Sequence, residues 1–73
     1  MKLLELQTPD GGPKFFLNPL EVWGVGQNFA GETLIRTVHP MMRQGGDTPE
    51  TRLFVEETPE EVARMWRDAM RED

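Results

Sequence analysis

The chain contains no cysteine, no serine and no tyrosine, and only one histidine. Without cysteine there is no disulfide and no thiolate for catalysis or metal binding. Nucleophilic catalysis needs a hydroxyl, thiol or comparable group beside a base, and His39 has no obvious nucleophilic partner. It sits at the end of an extended segment, just before Pro40, and reads as a structural or solvated histidine. A metal centre asks for several nitrogen, sulfur or carboxylate ligands in compact spacing, which one histidine does not supply. No cofactor is expected, and the chain reads as a non-enzyme. Long apolar stretches are missing too: nothing approaches the run of about 18 residues that crosses a bilayer. The Met1–Leu6 start lacks the apolar stretch and small-residue cleavage site of a signal peptide. The expectation is a cytoplasmic protein without membrane contact. Basic residues are scarce as well, 8 against 13 acidic ones, for a formal charge of -5. That balance repels a phosphate backbone, so duplex nucleic acid is not an expected partner.

A chain of 73 residues has room for a single domain spanning residues 1–73. Its own core supplies only about 3–5 kcal/mol, and natural chains of this size add disulfides, a metal or a partner chain. With the first two routes nearly closed by composition, a homo-oligomer is expected.

Lys2–Leu6 is a short apolar run that stops at Thr8-Pro9-Asp10-Gly11-Gly12-Pro13, a cluster of turn formers. Lys14–Leu17 resumes the extended pattern, so these two segments read as a hairpin. Asn18-Pro19 interrupts it, because Pro19 has no amide proton and keeps Asn18 out of helix. Leu20–Gln27 reads as a strand with Leu20 and Val22 on one face and Glu21, Trp23 and Val25 on the other. Gly24-Val25-Gly26 has neither the lysine nor the strand-to-helix context of a phosphate cradle. These are strand glycines, which mark a bulge, a bend or the close approach of another backbone or a ligand. Thr33–His39 is rich in β-branched residues and reads as a strand ended by Pro40, and Thr51–Glu56 alternates as one more. Between them Met41–Glu50, with Gly45-Gly46-Asp47-Thr48-Pro49 in it, reads as a flexible loop that projects from the sheet if the two strands pair.

The strongest local signal is C-terminal. Thr58 can cap a helix, Pro59 suits its first position and Glu61 completes a capping box. Val62, Met65, Trp66, Ala69 and Met70 then line one face of a helix running to about Arg71. The acidic cluster Glu56, Glu57, Glu60 and Glu61 straddles this start, where negative charge is favoured, so it reads as structural rather than as a cation site. The fold class predicted is α+β: a small antiparallel sheet of four to five short strands packed with one C-terminal amphipathic helix.

Not every large apolar side chain fits inside so small a core, and aromatic and methionine residues are the types enriched at interfaces. Trp23, Phe29, Met41 and Met42 are the candidate partner-binding residues, with Trp66 assigned to the core under the helix. Arg36, Arg43 and Arg52, with Lys14, are the basic residues of the sheet half. The three arginines are candidate anion-binding residues, for which a solvated face is the plainer explanation.

The segment Lys14-Phe15-Phe16-Leu17-Asn18-Pro19-Leu20-Glu21-Val22-Trp23, with Thr33-Leu34-Ile35, Leu53-Phe54-Val55-Glu56-Glu57 and Thr58-Pro59-Glu60-Glu61-Val62, resembles the FlbD/SwrD-type small proteins of bacterial flagellar and swarming loci. The resemblance spans about Leu3 to Trp66, and Met41–Glu50 departs from it as an insertion. It implies an accessory factor of motility that acts through protein contacts rather than catalysis. Small domains of this build are also encoded by phages, as adaptors or inhibitors of host proteins or as binders of host signals. The second expectation is therefore a phage-encoded binder that sequesters an anionic nucleotide signal at an intersubunit pocket through the arginines.

Overall fold

The computed structural model describes residues 2–42 and 48–71. Five strands and one long helix follow in the order β1 (Leu4–Gln7), β2 (Lys14–Leu17), a 3-10 turn (Pro19–Glu21), β3 (Val22–Gln27), β4 (Thr33–Met41), β5 (Glu50–Val55) and α1 (Pro59–Arg71). This is the expected small α+β class, with all pairing antiparallel. The strands divide, however, into a hairpin β1-β2 and a three-stranded sheet β3-β4-β5. The reason lies at Asn18-Pro19. The Asn18 side chain accepts the Leu20 amide at 2.9 Å and turns Pro19–Glu21 into a helical turn. Leu20, expected to begin a strand facing inward with Val22, is in that turn and exposed.

Two hydrogen bonds to one residue join the sheets. The Glu56 amide donates to the Gln7 carbonyl at 2.9 Å, and the Gln7 amide donates to Glu57 Oε1 at 3.1 Å. Leu4, Leu6 and Leu17 from the hairpin, Val22, Ile35, Leu53 and Val55 from the sheet, and Val62 and Ala69 from the helix make the core between them. Met65 and Trp66 pack against its side, and the Trp66 ring nitrogen donates to the Pro19 carbonyl at 3.1 Å. The helix is thus hydrogen-bonded to the turn where the sheets part.

Pro40 does not end β4, which runs on to Met41. The ladder to β5 is irregular between Arg36 and Met41, and the pairing with β3 stops at Thr37, so the missing amide proton of Pro40 falls outside the regular ladder. Met41 and Glu50, taken above as the ends of a loop, are paired strand residues. Arg43 and residues 44–47 of that loop lie outside the described residues.

The helix start forms as its residues predict. The Thr58 amide donates to Glu61 Oε1 at 2.9 Å, and the Glu61 amide donates to Thr58 Oγ1 at 3.1 Å. The Thr58 backbone N–H, followed by its hydroxyl, holds the Glu61 carboxyl below its ordinary value of 4.5. A carboxyl depressed in the folded state contributes stability that is present above its ordinary value and lost as pH falls through the folded one. Thr58→Ala is expected to cost about 1 kcal/mol at neutral pH, lowering Tm by about 4–8 °C. Thermal melts of both proteins should show most of this gap persisting in acid, because alanine keeps the backbone N–H that bonds the Glu61 carboxylate and loses only the hydroxyl that accepts the Glu61 amide.

Candidate functional site

Alternation in β4 and β5 places Ile35, Leu53 and Val55 on the core side and Leu34, Arg36, Arg52 and Phe54 on the outer side. In β3 the alternation breaks. Val22 pairs with Thr37 and Gly24 with Arg36, which leaves Trp23 as an extra residue in the ladder. Such a bulge puts two residues opposite one and re-aims a side chain. Trp23 and Gly24 both face Arg36, and the Arg36 guanidinium lies 5.8 Å from the indole centroid. The ring stays 60% exposed. Beyond the bulge the phase is reversed, so Val22 is buried and Val25 also packs on the core. Val25 was expected to share a face with Trp23; the extra residue separates them.

Arg36 and Arg52 stand directly opposite each other on this outer face. With Trp23 they form one cluster. Phe29 is elsewhere, fully exposed at the tip of the β3–β4 connection. There Asn28 Oδ1 accepts the amides of Ala30 at 3.0 Å and Glu32 at 2.9 Å, and Gly31 takes a φ of 84°, so the turn is braced around an aromatic ring that touches solvent.

Met41 and Met42 lie near the far end of β4, roughly 25 Å from Phe29 along a nine-residue strand. They line a cleft of about 820 Å³ between the hairpin and the sheet, together with Phe15, Phe16, Leu53 and Phe54. Met41 is half-buried, whereas Phe16 and Met42 are 62% and 61% exposed. The four predicted contact residues therefore fall in three places: a Trp–Arg cluster on the sheet, a lone Phe29, and a Met-lined cleft.

His39 is on the surface, with Nδ1 3.0 Å from Glu21 Oε1 and 3.3 Å from Oε2. An exposed pair of this kind contributes little to stability. Among the described residues no group of three histidine or acidic side chains is placed to hold a metal ion. Of the acidic cluster, Glu61 belongs to the helix cap and Glu57 to the junction of the sheets.

One feature of the surface, the cleft, escaped sequence reasoning, and another, the bulge, was only one of several readings of the strand glycines. The bulge was signalled by Val22 and Val25, two apolar residues at odd spacing with a glycine between them, a pattern that a regular strand cannot bury on one side. The cleft had no local signal, since it depends on how the hairpin is set against the sheet. Compared with known proteins, the chain matches no protein-family model, no curated protein and no solved structure.

Proposed function

We propose that this chain is a non-catalytic binding module that acts through protein–protein contacts and associates with itself through the cleft between hairpin and sheet. One observation carries the reading: Phe15, Phe16, Met41, Met42 and Phe54 converge on a single cleft while Phe16 and Met42 keep most of their surface in water. Contiguous exposed apolar surface of this composition marks an interaction site. A second copy is the occupant that fits best. The lining is mostly apolar, and its charged side chains, Asp10, Lys14 and Glu32, are of both signs, so a second copy can meet it with opposite charges facing each other. The core also counts only ten buried apolar side chains among the described residues, which leaves stability to be gained on association.

The non-catalytic part of the reading rests on the missing nucleophiles and on a lone histidine paired with Glu21. The resemblance to FlbD/SwrD-type accessory factors agrees with it. A cytoplasmic site of action belongs to the same proposal, in keeping with the cysteine-free sequence; among the described residues no helix is long and apolar enough to cross a membrane.

Light scattering coupled to size exclusion, at micromolar concentration, tests the reading. The wild-type chain should elute with a mass that is a multiple of 8.4 kDa. The double variant Phe16→Asp, Met42→Glu should elute as a monomer with an unchanged circular dichroism spectrum, because both side chains are exposed. Trp23→Ala, on the outer sheet face, should leave the mass unchanged. A monomeric wild type, or a charged variant that still associates, would refute self-association through the cleft.

A further inference from the structure

Arg36 and Arg52 form the least economical arrangement on the surface. They are direct cross-strand neighbours, a placement in which like charges destabilise a sheet, in a chain with a surplus of carboxylates. Yet neither guanidinium has a carboxylate partner among the described residues, where the ion pairs formed are Lys14–Glu5 and His39–Glu21. Among the described residues, what faces a guanidinium of this pair is the Trp23 ring beside Arg36.

The glycines of β3 make a second, independent observation. Gly24 and Gly26 lie on the same outer face, paired with Arg36 and Leu34. Neither has a positive φ, and a Cβ at either would meet no atom within 4 Å. The bulge accounts for Gly24. Nothing within the chain requires glycine at 26, where it weakens the strand. The remaining use of a strand glycine is to let something flat come close to the backbone.

We infer that the outer face of β3-β4-β5 is a binding site for a small molecule that joins a planar ring to a phosphate, the nucleotide class, with the ring laid over Gly24 and Gly26 against Trp23 and the phosphate held by Arg36 and Arg52. Guanidinium groups match phosphate oxygens in bidentate geometry, and aromatic rings stack on flat heterocycles. Charge decides between phosphate and carboxylate. Two adjacent guanidiniums carry two positive charges, matched by a phosphate monoester at about −1.5 to −2 but only half matched by a single carboxylate. The three strands span about 10 Å from β3 to β5, so a ring over β3 sets its attached phosphate above the arginines. The site adjoins the cleft at Phe54, which shares the outer face with Arg52, but its own residues do not line the cleft and it does not depend on the self-association proposed there.

The probe is adenosine 5′-monophosphate, with adenosine and inorganic phosphate as the two half-ligands. Titration followed by amide chemical shifts should move the signals of Gly24, Gly26, Arg36 and Arg52, and a hundredfold excess over Kd should raise Tm by about 10 °C or more. Adenosine and phosphate should each bind at least about tenfold more weakly, the loss of one of two additive contacts. Arg36→Ala with Arg52→Ala should weaken the monophosphate at least about tenfold and leave adenosine unchanged. Gly26→Val is the decisive variant: a β-branched residue fits the empty space and favours a strand, so the protein should melt no lower than wild type while losing the ligand. No shift at millimolar nucleotide, shifts confined to the cleft, equal binding of phosphate alone, or a Gly26→Val variant that folds and still binds would each overturn the assignment.

Discussion

Trp66→Ala is expected to leave the chain largely unfolded at room temperature. Truncating a large aromatic residue typically costs about 3–5 kcal/mol, which is as much as a core of this size supplies. The particular setting sharpens the expectation. Trp66 packs on the side of the core that Val62 and Ala69 fill from the same helix, and its ring nitrogen bonds to the buried Pro19 at the turn where the two sheets diverge. Its loss removes helix packing and leaves the Pro19 carbonyl without that donor in one step. Trp66→Phe separates the two contributions, since it keeps an aromatic ring and removes only the hydrogen bond, at about 0.5–1.5 kcal/mol. Circular dichroism melts should show no cooperative transition for the alanine variant and a modestly lowered one for phenylalanine. A cooperative alanine variant melting within a few degrees of wild type would show that the helix is not the latch described.

Glu57→Ala should produce the next largest loss, and a local one. The Glu57 carboxylate is the acceptor for the Gln7 amide, and with the Glu56 amide it forms the hydrogen-bonded junction between hairpin and sheet. A hydrogen bond to a charged acceptor contributes about 1.5–3 kcal/mol; at this half-exposed position the lower end, about 1.5 kcal/mol, is expected. The hairpin has four-residue strands, too short to hold on their own. Hydrogen exchange should therefore quicken at Leu4–Gln7 and Lys14–Leu17 more than at β3, β4 and β5, as the hairpin opens separately from the sheet. Uniform acceleration across all five strands would mean that the two sheets melt as one unit.

Elements whose determinants are local were legible before any coordinates. Thr58-Pro59 with Glu61 located the helix to the residue, and the glycine-proline cluster from Thr8 to Pro13 located the first hairpin, because caps and turns are settled by the dihedral and hydrogen-bonding habits of a few neighbours. The placing of Trp66 on the inward side of the helix followed from its spacing to Val62 and Ala69, although the ring packs half-buried against the core and not inside it. What stayed hidden was set at long range. Leu20 looked like strand because Asn18 was read only as an interruption and not as a cap for the turn after it. Pro40 looked like a strand end because the irregular pairing around it depends on β5, ten residues further on. Trp23, Arg36 and Arg52 were each singled out by residue type, but their union on one face follows from a bulge and a register, neither of which a single strand discloses.

The bulge gives deletions and substitutions opposite meanings in β3. Removing a residue from a regular stretch of strand shifts its parity and swings core side chains outward. Removing Trp23 would not: Val22 opposite Thr37 and Gly24 opposite Arg36 would simply become neighbours in a regular ladder. In terms of chain length Trp23 is a surplus residue, one that the architecture could shed without moving a single core side chain. A large indole held in a position the fold can do without is what the ring-binding face proposed for this sheet would use.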